Sequence, residues 1–421
     1  MMTETQITDA LADLADSAPE IHVDIDHVVS KAKRWKSRRT IIATATTVAV
    51  VGVLAAGTLV VVKSSPVEEA PATLGRVGEW TSTPVPGGRG VFLTGVSAAG
   101  ASDAWAVGIN HGKQSTSSVI QHWDGRSWQA VPNIPAGTLW NVRAISADDV
   151  WVLGGSEDKK FLALHWDGHT WTRTDVPSPP AGDGLETITV RDVAAVAGND
   201  VWAVGCRMAG GPGLPTTGLL VHWDGRKWSN VPLPQIPENG FGMCTVSVAA
   251  RSSNDVFVSG EVYNGPSGGS RYFARHWDGH QWTDVETLSN GRPGLTMRVV
   301  SVDGDVWAIG GIASTTGSSG REAILSRWTD HGWQSVDVRG AGIESVGSVV
   351  ADGHGGILAF SGLGTSMVTL ARVSKDNKVT REPGPPGFLQ LRDVAAVPGT
   401  SKVWAVGVGL DEGPAAAYVT W

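Results

Sequence analysis

Four arginines and one tryptophan are the residues best suited to hold a ligand. Arg143, Arg191, Arg298 and Arg392 stand near the head of similar apolar runs, VRAIS from Val142, VRDVAAV from Val190, MRVVSV from Met297 and LRDVAAV from Leu391. They share one aligned position, at which Thr94, Val246 and Gly347 stand in the remaining copies. A planar guanidinium grips a carboxylate or another anion through two parallel hydrogen bonds, so four of them around one axis would make an anion site. The alternative is that each pairs with a carboxylate of the protein itself, Asp192 and Asp393 being next in sequence, since an unpaired buried charge is costly. Trp140 lies off the repeated phrases described below and joins the candidate binding set.

The other reactive residue types carry less. His122, His165, His222 and His276 invite a metal reading, but they recur one to a repeat and are spread apart, whereas ligands to one ion must converge within about 2 Å of it. Neither HExxH nor CxxC is present, nor a Walker loop or GxSxG, so no metal, cofactor or catalytic constellation is expected. Asp124, Asp167, Asp224 and Asp278 each precede a Gly and read as turn formers. Cys206 and Cys244 fall at strand ends in neighbouring repeats: either they form a disulfide, which an oxidising compartment favours, or they are two buried thiols.

The elements that position these residues repeat. HWDGRSW from His122 returns as HWDGHTW from His165, HWDGRKW from His222 and HWDGHQW from His276, then decays to RWTDHGW from Arg327. Upstream of each lies a second phrase: DAWAVG from Asp103, DVWVLG from Asp149, DVWAVG from Asp200, DVFVSG from Asp255, DVWAIG from Asp305 and KVWAVG from Lys402. The second phrase is short and apolar, and a Gly ends it, so it reads as a buried strand. The Asp-Gly between two Trp residues predicts a tight type I′ hairpin with both central φ angles positive. Each unit is therefore four antiparallel strands, a (RDVAAV-like), b (DVWAVG), c (ending HW) and d (from the second Trp), the pattern of a propeller blade.

Counting a/b pairs gives seven blades, the sixth (343–383) having lost its Trp residues. VGEWTSTPVP from Val77 copies strand d with no a, b or c before it, while the last unit stops at Trp421 where its own d should begin. The two defects are complementary: the N-terminal strand closes the ring, which removes the open edges of a linear array. The fold class is all-β, a seven-bladed propeller over residues 77–421. With 19 Trp against 7 Phe and 3 Tyr, a Trp fixed in nearly every blade is packing, one indole burying a large area against the next sheet.

Ahead of the propeller, residues 1–40 read as a cytoplasmic segment, partly helical or disordered, ending in the basic run KAKRWKSRR. Residues 41–62 carry no charged side chain and are long enough to cross a hydrocarbon core of about 30 Å as a helix. A signal peptide is the rival, but its apolar stretch is shorter and follows a short leader. The basic run places the N-terminus in the cytoplasm and the propeller outside the cell. Residues 63–76, with Pro, Ser and Ala, are a linker. A net charge of −8 gives no basic face for nucleic acid.

The paired phrases resemble the repeats of bacterial propeller proteins related loosely to the kelch, galactose-oxidase and sialidase families. The resemblance implies architecture alone: the SxDxGxTW opening of sialidase Asp boxes is missing, and the copper site of galactose oxidase has no counterpart around Cys206 or Cys244. The front end resembles single-pass actinobacterial proteins, some of them similar to anti-sigma regulators, although the HxxxCxxC zinc pattern is absent. That resemblance implies a cytoplasmic partner such as a sigma factor.

The b–c and d–a loops are long and irregular and share one face, where binding residues of a rigid scaffold usually sit. The expected function is a membrane-anchored extracytoplasmic module that binds a ligand, a glycan or a protein, with a sensory link to the cytoplasmic segment. The alternatives are a glycan-active hydrolase or lyase using the long-loop face, and a structural envelope protein.

Overall fold

The computed structural model describes residues 78–421 apart from 112–115, 178–186, 209–215, 234–241, 264–269, 287–293, 314–320 and 365–367. Residues 1–40, expected to be a cytoplasmic segment, the apolar stretch 41–62, the expected linker 63–76 and most of the long loops lie outside the described residues. Among those described, no helix is long and apolar enough to cross a membrane.

Seven four-stranded antiparallel sheets account for the strands, six of them built from consecutive segments. Blade 3 shows the plan, with strand a at Thr187–Ala197, b at Asp200–Met208, c at Thr216–Trp223 and d at Trp228–Asn230. The last sheet borrows its outer strand: Thr81–Thr83 pairs with Pro414–Thr420 in the register Thr81↔Tyr418, Ser82↔Ala417, Thr83↔Ala416. Gly78 N–H donates to Thr420 O at 2.7 Å and Trp80 Nε1 to Pro383 O at 2.9 Å, which fixes the incoming chain on both flanks. The chain is a seven-bladed β-propeller.

The Trp residues hold the blades together. The strand-b aromatic of one blade enters the c/d Trp pair of the next: Trp105 lies 5.8 and 5.5 Å from Trp166 and Trp171, and Trp151 lies 5.0 and 5.3 Å from Trp223 and Trp228. Across the closure Trp404 meets Trp123 and Trp128 at 4.9 and 5.1 Å. Each such aromatic pair adds about 0.5–1.5 kcal/mol beyond the area it buries. Where blade 6 (Ser348–Ala351, Ile357–Phe360, Leu370–Val373, Val379–Glu382) has no Trp pair to offer, Trp307 packs on Ile357, Ala371 and Val373.

Two local expectations are corrected. The Gly of DVWAVG does not end strand b, which runs on from Gly108 to His111 and from Gly205 to Met208. Its role is close approach: a Cβ on Gly205 would fall 2.0 Å from Thr189 O, because strand a carries a bulge opposite it. The WDG turn is not type I′. In 124–127 only Gly125 has positive φ, and Asp124 Oδ1 accepts from Arg126 and Ser127 N–H at 2.8 and 2.9 Å, so the carboxylate takes the backbone donor that a type I′ turn gives to a carbonyl. Asp167, Asp224 and Asp278 repeat this, and those backbone donors hold all four carboxyls below the usual carboxylate range.

Candidate functional site

Seven a strands line the central channel: Val91–Gly100, Thr138–Ser146, Thr187–Ala197, Gly242–Ser252, Gly294–Val302, Ser348–Ala351 and Phe388–Ala396. Each is the edge of its sheet, so its inner backbone donors need partners from elsewhere. Side chains of the preceding blade supply them. Asp393 Oδ2 accepts from Val96 N–H at 2.9 Å, Ser97 Oγ from Ala144 N–H at 3.0 Å, Asp192 Oδ2 from Val248 N–H at 3.3 Å and Ser247 Oγ from Val299 N–H at 2.7 Å. The polar residues of the channel wall thus bridge blade to blade.

The four arginines do not share one position. Arg298 faces Ile309, in the place that Asp192 and Asp393 hold opposite Val204 and Val406. Arg143 is opposite Trp151, farther along its strand. Arg191 and Arg392 are the extra residues of bulges, between Val190 and Asp192 and between Leu391 and Asp393. Trp140 is the extra residue of the corresponding bulge in blade 2, between Leu139 and Asn141. One inserted residue shifts every side chain after it to the other face, which is why similar runs place their arginines differently.

Two electrostatic situations result. Inside the channel, of about 280 Å³, the buried Asp192 takes Arg143 Nη2 at 3.4 Å on Oδ1 and Arg298 Nη2 at 3.7 Å on Oδ2, besides Val193 N–H at 2.9 Å. Arg143 also donates to Val142 O at 2.9 Å, and Arg298 to Gly347 O at 3.5 Å. Burial pushes the Asp393 carboxyl up, and the charges of Arg143 and Arg298 pull it back. The wall is internally compensated, as expected where desolvated charge must be paired.

Arg191, Arg392 and Trp140 are exposed, Trp140 at 40%. Arg392 hydrogen-bonds Gln390, and among the described residues neither Arg191 nor Arg392 pairs with a carboxylate. Trp140 sits near the start of strand a, the end that adjoins the d–a loops, and Arg191 and Arg392 sit near the middle of theirs.

On the opposite side of the ring a single arrangement recurs. His165 Nε2 lies 2.9 Å from Asp149 Oδ1, His222 2.8 Å from Asp200 and His276 2.9 Å from Asp255, with His122 at 3.4 Å from Asp103. Each imidazole stacks on the aromatic of strand b at 4.1–4.3 Å between centroids. These histidines tie strand c to strand b within a blade and do not converge. Blade 5 substitutes Arg327 on Asp305 at 2.7 Å. Blade 7 replaces the acid by Lys402, whose ammonium sits 4.0, 4.5 and 5.3 Å from the rings of Tyr418, Trp404 and Trp123. The His–Asp pairing was readable as a covariation within the repeat, since the acid and the His leave together in blade 7. A cavity of about 600 Å³ opens on this side among the a–b turns of blades 5, 6 and 7, with Arg143 at its inner wall.

Cys206 and Cys244 are joined in a disulfide, with Cα atoms 5.0 Å apart, which links strand b of blade 3 to strand a of blade 4.

No family model matches the chain, and no curated protein matches it. Solved structures do. Streptogramin B lyase superposes with a TM-score of 0.51 at 12% identity, over 80% of this chain and 97% of that one. A puromycin hydrolase S511A mutant gives 0.51 at 12% identity, over 79% of this chain and 53% of that one. A YCF48 structure bound to a D1 peptide gives 0.49 at 15% identity, over 85% of this chain and 100% of that one. At these identities the likeness extends to the propeller fold and no further.

Proposed function

We propose that this chain is a membrane-anchored extracytoplasmic binding module that takes its ligand on the long-loop side of the ring. One contrast carries the reading: the channel arginines are committed to Asp192, while Trp140, Arg191 and Arg392 stand exposed at equivalent bulges without carboxylate partners among the described residues. Bulges re-aim side chains and cluster next to functional sites. An indole offers a flat face and a guanidinium a fork of donors, which together suit a ligand with a planar or ring face and an acidic or carbonyl group. The anchor rests on the uncharged stretch 41–62 behind its basic run.

Two measurements test this. Full-length chain in cells is expected in the membrane fraction, with its propeller cleaved by protease added outside; a propeller protected until the cells are lysed overturns the topology. Full-length chain in detergent is expected to retain an envelope component that the triple variant Trp140→Ala, Arg191→Ala, Arg392→Ala releases. Equal retention by both proteins removes the rim from the reading.

A further inference from the structure

The a–b ends of the blades are of two kinds. In blades 1 to 4 a bulge stands just before the a–b turn, between Ala98 and Gly100, Ala144 and Ser146, Ala195 and Ala197, and Ala250 and Ser252. Blades 5, 6 and 7 have none there. In blade 5, Ser301 and Val302 pair in step with Val306 and Asp305, and the turn between them is a tight type I′ pair, Asp303 and Gly304, with φ of 49° and 82°. In blade 6 strand a has four residues, Ser348–Ala351, where the other a strands have nine to eleven. A bulge bends its strand and sharpens the twist. It is among the turns of the three blades without one that the cavity of about 600 Å³ opens. That volume falls within the range of small-molecule sites, roughly 300–1,000 Å³.

The walls of the cavity are preformed. Thr400 N–H and Oγ1 both donate to Val397 O, at 3.2 and 2.9 Å, and Asp352 Oδ1 accepts from His354 and Gly356 N–H at 2.8 and 2.9 Å, so the turns of blades 7 and 6 are closed on themselves. They also touch each other: a Cβ on Gly353 would fall 2.6 Å from Ser401 Cα. With that polar backbone turned inward, Val302, Val349, Val350 and Val397 give the lining an aliphatic character. Of the lining residues only Arg143 and Asp303 are charged. Arg143 stands at the throat, where it borders both the cavity and the channel. A guanidinium carries five N–H donors, and Arg143 spends two, on Val142 O at 2.9 Å and on Asp192 Oδ1 at 3.4 Å. Those bonds fix the group from the channel side, while 36% of the side chain stays exposed and the remaining donors have no protein partner among the described residues. Asp303 is exposed and forms no ion pair among the described residues, so it disfavours a second negative charge in the same space.

We propose that this cavity is a second binding site, for an aliphatic monocarboxylate whose carboxylate meets Arg143 and whose chain lies on the valines. It goes beyond the binding-module reading and does not rest on it. The test is calorimetry on the full-length chain in detergent, with protein-free micelles as the blank and butyrate, valerate, hexanoate, 1-hexanol and adipate as probes. Hexanoate is expected to bind saturably, with affinity rising about fourfold for each CH₂ added from butyrate. It should bind at least tenfold more tightly than 1-hexanol, which lacks the carboxylate, or adipate, which carries two. Arg143→Lys keeps a positive charge for Asp192 but loses the fork of donors, and should weaken hexanoate at least tenfold. Ser301→Leu, at an exposed position of the lining, should fill the space and weaken hexanoate as much, with the near-ultraviolet dichroism unchanged. No saturable binding of any probe overturns the site. Adipate or 1-hexanol bound as tightly as hexanoate overturns the ligand class, and binding that survives both substitutions overturns the placement. The cavity opens on the side of the ring away from the long loops, so its failure would leave the reading of Trp140, Arg191 and Arg392 where it stands.

Discussion

Arg298 and Arg392 have nearly the same neighbours in sequence and opposite situations in the ring. Arg298 lies in register on the channel wall and is tied to Asp192, while Arg392 is an exposed inserted residue that hydrogen-bonds Gln390 and, among the described residues, pairs with no carboxylate. Arg143 and Arg191 divide in the same way, the first held by Asp192 and the second exposed. The difference teaches that the channel interior is part of the scaffold. Edge strands that cannot pair with one another are joined through polar side chains at Val96, Ala144, Val248 and Val299, and the arginines there balance carboxylates that do part of the joining. In the proposed reading, recognition falls to positions where the repeat has been interrupted.

The largest expected effect tests the interior half of that comparison. Asp192→Ala leaves two guanidinium groups without their carboxylate and the Val248 N–H without its acceptor. Breaking a buried charge pair from one side costs about 3–5 kcal/mol. The propeller should therefore melt well below the wild type in calorimetry. A loss under about 1 kcal/mol, the worth of an ordinary hydrogen bond, would mean that the channel charges are solvated and open to ligands after all.

Asp393 sharpens the comparison within the channel, because it bonds Val96 and Val394 N–H at 2.9 Å and, among the described residues, forms no ion pair with a guanidinium. Burial raises its carboxyl above the ordinary value, with Arg143 and Arg298 opposing. A folded-state value above the unfolded one means that its contribution is fully present below about pH 4 and is lost as the pH rises through the folded value. In Asp393→Asn one amide oxygen still accepts, so stability at pH 7 should lie within about 1 kcal/mol of wild type. The pH profile of the melting temperature above pH 4 should also flatten. A drop as deep as that of Asp192→Ala would show that Asp393 is held as a charged partner.

The architecture was legible because it is periodic. The blade count, the complementary ends that place Thr81–Thr83 beside Pro414–Thr420, and the packing role of the Trp residues all follow from phrases that repeat. The site was legible only in part. Arg143, Arg191, Arg298 and Arg392 look aligned, yet a bulge of one residue decides which of them enters the channel, and bulge positions are set by strand pairing that a single chain does not display. A clue was present in the Gly of each DVWAVG, whose missing Cβ marks the close approach of the bulged strand at Gly108, Gly154, Gly205 and Gly407.

The smallest expected effect on stability is at the rim, and it carries the most functional information. Arg392→Ala removes an exposed side chain that hydrogen-bonds Gln390, so stability should stay within about 0.5 kcal/mol of wild type. Ligand retention should fall all the same, since a guanidinium free of protein carboxylates is available to an anionic or carbonyl group. Measuring melting temperature and ligand affinity on the same preparation separates the two regions. Arg392→Ala should move affinity and leave melting alone, and Asp192→Ala should lower melting. If Arg392→Ala instead destabilises the ring by more than about 1 kcal/mol, the rim is scaffold like the channel, and the distinction between interrupted and regular positions fails.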